Sequence, residues 1–204
     1  MINTERNLIV AIEAAFDGGS LSIFEGRSEV DFWIGTSGLS KAEDILEGVA
    51  GLLGRNNLKR EQIGLVAVSG DAGSLTGLKI GAATAQGLAK ALDCDWLVIS
   101  LWTALAETLT ADSDEAVNVL LPGGKNTLYR RTLRNRKTAS EIELMSTTDQ
   151  EKLGNDLGEL RNDKLYAHRK IIRDYNLGAN FPVIDLGENL AGWIGAFASD
   201  NEKM

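Results

Sequence analysis

The chain has 204 residues, 44% hydrophobic and 25% charged, with a formal net charge of −8. That length allows one domain or two small lobes around a real core, and the composition excludes a disordered chain. The acidic balance excludes a surface that grips a polyanion over its whole extent, because phosphate contacts need Lys and Arg, so no direct nucleic-acid partner is expected.

The elements read in chain order as follows. Leu8–Ile12 is a short apolar run, a buried strand. Gly18-Gly19 turns the chain into the alternating Ser20–Phe24, and Gly26 precedes a third strand at Val30–Ile34. Ser40, with Glu43 three residues on, has the pattern of a capping box. The helix that follows carries Ile45, Leu46, Val49, Leu52 and Leu53 on one stripe, and Gly54 marks its end. Ile63–Ser69 is apolar throughout and reads as an interior strand. A glycine-rich turn, Gly70–Ser74, opens a helix over Leu75–Leu92. Trp96–Ile99 reads as a further buried strand, and Leu101–Leu109 as a helix. The first half is thus β-β-β-α-β-α-β-α.

Asp112-Ser113-Asp114 is the most polar break, so the expected division is a lobe over 1–111 and a smaller, shortened lobe over 112–204. In the second part, 116–121 and 128–133 read as strands around the turn Pro122-Gly123-Gly124, and Gln150–Leu157 as a helix. Asp163–Ile172 is open between strand and helix. Val183–Leu186 reads as a strand, and Asn189–Ala198 as a helix with Leu190, Trp193, Ile194 and Phe197 on one face. Ser199–Met204 reads as a frayed tail. Tyr129–Lys137 holds five basic residues and no acidic one. Arg stems lying over apolar surface explain it better than a nucleic-acid patch.

Little chemistry is on offer. Cys94 is the lone cysteine, read as a small hydrophobe at a helix end, and no intramolecular disulfide can form. His168 is the lone histidine, so zinc ligation by His and Cys is excluded. It stands beside Arg169 and Lys170 and reads as a surface residue. No signal peptide and no span-length apolar run is evident, so no membrane partner is expected and the cytoplasm is the default. No metal, no cofactor and no catalytic residue is expected, and paired carboxylates such as Glu141 and Glu143 are not assigned catalysis.

Residues 70–92 carry the signal. Gly77, Gly81 and Ala85 are four apart on one helical face, and Ala83, Gly87 and Ala91 on another. Each interior glycine costs a helix roughly 1 kcal/mol relative to Ala, so close packing on two sides is the expected compensation. One side would be the sheet and the other a second helix. A strand, a Gly-rich turn and a helix start are also the parts of an anion site, but no Gly-Lys-Ser/Thr closes the turn and the spacing fails G-x-G-x-x-G.

The run Gly73-Ser74-Leu75-Thr76-Gly77-Leu78-Lys79-Ile80-Gly81, then Ala83-Thr84-Ala85-Gln86-Gly87-Leu88-Ala89, resembles the signature G-P-G-S-F-T-G-L-R-I-G-x-x-x-A-K-G-L-A of the TsaB (YeaZ) family. Ala72 replaces Pro, Leu75 replaces Phe and Lys79 replaces Arg. Ser100–Leu105 is similar to the family's G-V-S-T-L-x-A-L. The resemblance implies an α/β, ribonuclease-H-like lobe of the actin, sugar kinase and Hsp70 superfamily. It implies a non-catalytic subunit that binds a TsaD-like paralogue, with a TsaE-like ATPase joining, in making threonylcarbamoyladenosine on tRNA. Alone, such a subunit would homodimerise. The partner surface it implies lies on the two helices, at Ile45, Val49, Leu53, Gly73, Ser74, Thr76, Gly77, Lys79, Gly81, Thr84, Gly87 and Leu88.

The chain departs from the family at Ile12-Glu13-Ala14-Ala15, where the family has I-D-T-S. The superfamily uses that turn at nucleotide phosphates, so nucleotide binding is not expected here. The family's D-A-R-x-x-E-V-Y is replaced by Leu121–Tyr129, with only Tyr129 kept, and the family's P-x-Y-L-R ending is missing. Two other readings compete. One is a homodimeric paralogue outside the tRNA pathway, and the other a small-molecule kinase of the same superfamily.

Overall fold

A computed structural model describes residues 6–201 apart from 37–41, 125, 161–162 and 181. The expected Ser40 cap lies outside the described residues.

The chain divides into two compact units. One comprises 1–104 with 189–204, and the other comprises 105–188. The first is built on a sheet of β1 (Leu8–Glu13), β2 (Ser20–Glu25), β3 (Ser28–Ile34), β4 (Ile63–Ser69) and β5 (Asp95–Ile99), in the order β3-β2-β1-β4-β5. Short turns leave β1, β2 and β3 antiparallel, whereas β4 and β5 join in parallel. A parallel return needs a crossover, and α1 (Ala42–Arg55) and α2 (Leu75–Leu92) supply the two required. Side chains alternate across the sheet. Leu8, Val10, Ile12, Val66 and Val68 meet Ile45, Val49, Leu52 and Leu53 of α1 and Ala85 and Ala89 of α2 in one core. Arg55 ties the end of α1 to β3, donating from Nε to Asp31 at 2.6 Å and from Nη2 to the Phe32 carbonyl. This pairing and the Asn56 amide hold the Asp31 carboxyl well below the usual range.

The other sheet face is covered by α7 (Leu190–Asn201), which buries Leu190, Ala191, Ile194 and Ala198 against β1, β2 and β4. Asn189 exchanges hydrogen bonds with Ser22, and the Ala191 amide donates to Ser20 Oγ at 2.9 Å. The division therefore differs from the one expected at 111/112. The last helix returns to the first unit, because its apolar stripe fits the open face of that unit's sheet. It also runs on to Asn201, through the first residues of the expected frayed tail.

The second unit begins within α3 (Leu101–Leu109). Its sheet follows the order β11-β10-β6-β7-β8, with β9 also on β7. These strands are β6 (Val117–Pro122), β7 (Thr127–Arg134), β8 (Lys137–Thr138), β9 (Glu143–Ser146), β10 (Lys164–Ala167) and β11 (Val183–Asp185). The core joins Leu120, Leu128, Met145 and Leu165 to Leu153 and Leu157 of α4 (Gln150–Gly158) and Ile171 of α5 (Arg169–Asp174). A short α6 (Leu177–Asn180) follows. The basic strand is tied locally. Arg130 pairs with Glu143 at 3.2 Å, Arg131 donates to the Ser140 carbonyl, and Arg136 pairs with Glu107.

Candidate partner interface and the turn beside it

Helix α2 starts where the sequence places it. Gly73 sits at φ +90°, a backbone that favours glycine, and Ser74 Oγ accepts from the Gly77 amide. The inner face then presses on β1. A Cβ at Gly77 would meet the Ala14 carbonyl oxygen at 2.2 Å, and one at Gly81 would meet Ala14 Cβ and Val68 Cγ2 at 3.3 Å. Thr84, Ala85 and Ala89 continue this buried face. The expectation that one small-residue face seats on the sheet holds.

The opposite face is open. Thr76, Lys79, Ala83, Gln86, Gly87, Lys90 and Ala91 are exposed, and a Cβ at Gly87 would meet nothing within 4 Å. On α1, Leu46 is 46% exposed, and Gly51 and Gly54 look into open space.

The twelve expected interface residues thus separate. Ile45, Val49 and Leu53 are 1%, 5% and 8% exposed and belong to the unit's own core, so they offer no free surface. They lie on the apolar stripe that seats α1 on the sheet. Gly77, Gly81 and Thr84 are buried likewise, Gly73 lies against Ala15, and Leu88 is half-buried against the same core. Ser74, Thr76, Lys79 and Gly87 remain outside. Leu46, read as part of the buried stripe, instead stands at the surface, as do Gly51 and Gly54 off the stripe.

The turn after β1 abuts the start of α2. The Ser74 amide donates to the Ala15 carbonyl at 2.9 Å. Glu13, at the end of β1, is buried, and its Oε1 accepts from the backbone amides of Ala15 and Phe16. Burial pushes the carboxyl up to about 8, against the pull of those two donors. The side chain has folded back onto the turn's own amides, a feature visible in sequence only as Glu in place of Asp. Asp71 plays a comparable part for α3, accepting from the Leu101 amide at 2.7 Å and from Ser100 Oγ.

His168 corrects its sequence reading. It is 4% exposed and caps α5, its Nδ1 accepting from the Lys170 amide at 3.2 Å. Neighbouring cations in sequence did not keep it at the surface, because the turn after β10 points it inward. Cys94 is half-buried beside the α1/α2 core, as a small hydrophobe at a helix end should be. Among the described residues, no group of three or more His, Cys, Asp or Glu side chains is placed to hold a metal ion. Nor is any helix long and apolar enough to cross a membrane.

Residues 40–191 match the family model described as TsaD, tRNA N6-adenosine threonylcarbamoyltransferase. The chain belongs to that family. No curated protein matches it. Among solved structures, YeaZ from Pseudomonas aeruginosa is 16% identical, with a TM-score of 0.58 over 96% of this chain and 94% of that one. The activator of the 2-hydroxyisocaproyl-CoA dehydratase from Clostridium difficile with bound ADPNP is 12% identical, with a TM-score of 0.60 over 96% of each chain. The inorganic polyphosphate/ATP-glucomannokinase from Arthrobacter sp. strain KM is 14% identical, with a TM-score of 0.60 over 96% of this chain and 99% of that one. At such identities the likeness establishes the fold, the actin and sugar-kinase type that the sequence led us to expect. The TsaD-family match extends well beyond the glycine-rich run and Ser100–Leu105, into the part where Leu121–Tyr129 departs from the TsaB pattern.

Proposed function

We propose that this TsaD-family chain is a TsaB-like, non-catalytic subunit. It binds a TsaD-like paralogue and supports threonylcarbamoyl transfer to adenosine of tRNA, with a TsaE-like ATPase joining the pair. One observation carries the interface. The outer face of α2 is small, continuous and open at Ala83, Gly87 and Ala91. A glycine there weakens the helix and no contact within this unit explains it, whereas a partner helix seated on α2 would. Exposed Leu46 on α1 supplies an apolar rim.

A kinase reading has the fold likeness in its favour. Against it stands Glu13, whose carboxyl takes two amides of the β1 turn for itself. The homodimeric reading would use the same faces as the subunit reading, so solution mass separates the two.

The test mixes the chain with TsaD from the same organism and measures mass by light scattering during size exclusion. A one-to-one complex is expected, weakened at least about tenfold by Gly87→Leu, whose side chain enters open space in the free chain. Gly81→Leu is not a suitable probe, because Gly81 faces Ala14 and Val68 and its substitution disturbs the fold. A homodimer that ignores TsaD at micromolar concentration overturns the subunit reading.

A further inference from the structure

The sheet of the first unit ends at β5, which pairs with β4 and has no strand on its other side among the described residues. The sequence reads Trp96–Ile99 as buried, yet Trp96 is 37%, Leu97 49% and Val98 56% exposed. An uncovered edge is ordinarily blunted by charge, proline or a bulge, and the middle of β5 has none of these. Side chains alternate along it. Asp95, Leu97 and Ile99 share one face with Leu65, and on that face a groove of about 480 Å³ runs between β5 and α7. Leu65, Leu97, Phe197 and Ala198 make its walls, and Asp95 and Asn201 line it too. Asp93 and Asp95 are exposed at the start of β5; the Arg6 guanidinium donates to the Asp93 carbonyl, and Asp95 is the carboxylate that lines the groove.

We infer that β5 is a strand-addition site for an extended segment of a partner protein, with alternating apolar side chains and a Lys or Arg at its end. The open edge provides main-chain pairing, the groove takes one apolar side chain of the incoming strand, and Asp95 selects the basic end. The net charge of −8 sets a second copy of this chain against itself and favours a basic partner. This surface is separate from the outer face of α2 and does not depend on the subunit reading.

The test is an NMR titration of the ¹⁵N-labelled chain with a short synthetic peptide alternating Ile and Ser between Lys ends, against the same peptide with Glu ends. Saturable shifts are expected at residues 95–99 and 197–201 with the Lys-ended peptide, and about tenfold weaker binding of the Glu-ended one. Asp95→Lys should reverse that preference. Leu97→Lys should abolish binding of both while the spectrum stays that of a folded chain, since Leu97 already stands half in solvent. Three results overturn the inference. One is shifts absent from β5, and another is equal binding of the two peptides. The third is a dimer by light scattering that Leu97→Lys splits, which would make a second copy the occupant.

Discussion

The two faces of α2 are built from the same residue types and do opposite things. On the inner face a missing Cβ is a requirement, because Gly77 stands where a methyl group would lie 2.2 Å from the Ala14 carbonyl oxygen. On the outer face the missing Cβ at Gly87 meets empty space. Small residues at helical spacing therefore record close approach on one side and only the opportunity for it on the other. The sharpest break of this contrast is Gly77→Leu. The carbonyl it strikes is main chain in a buried turn and cannot swing aside, so a loss of about 4 kcal/mol is expected, beyond the common range for overpacking. Urea unfolding reads it as a lower midpoint. A midpoint within error of the parent would show that β1 and α2 are not in contact.

Glu13 sharpens the same contrast, because the turn that abuts α2 depends on a carboxyl sealed from water. Its folded pKa is raised from 4.5 to about 8 by burial. The native state therefore holds a proton that the unfolded chain releases near 4.5, and between those values the native state binds more protons. Stability from this group is fully present below about pH 4.5, falls as pH rises, and is lost once pH passes about 8, at up to about 1.4 kcal/mol per pH unit. Glu13→Gln cannot ionise, and its amide oxygen can still accept from Ala15 and Phe16. Thermal melts across pH 5–9 should decline for the parent and be flatter for the variant. Parallel curves would mean that Glu13 ionises freely.

How much was legible follows from what periodicity measures. Small residues four apart, behind the glycine-rich turn Gly70–Ser74, placed α2 at Leu75–Leu92. The stripe of α1 was equally plain, but a stripe says that a face is covered and not by what. The family resemblance put a partner surface at Ile45, Val49 and Leu53, and in this unit they are the core. The apolar run of β5 misled for a related reason, since position at the sheet edge is set by topology and not by local sequence. Residues 163–172 resisted assignment because they hold the whole of the four-residue β10 and the start of a helix, with His168 between them. The return of α7 to the first unit depends on long-range contacts that no window of sequence contains. The short β8 and α6 carry too few residues for a period to register.

The smallest expected effects lie on the exposed side of α2. Ser74→Ala removes the acceptor of the Gly77 amide, a contact of 3.4 Å at an exposed helix start, and should lower stability by about 0.5 kcal/mol. Gly87→Ala should raise it by a similar amount, because Ala restricts the unfolded chain and its methyl group meets no neighbour. The sign is the informative part. A stabilised monomer means that nothing in the chain's own fold asks for glycine at 87. If the same variant then binds TsaD less tightly, the glycine answers to the partner, and the outer face of α2 is where that partner sits. A destabilised monomer would instead place an intramolecular neighbour over Gly87, and the contrast between the two faces would fail.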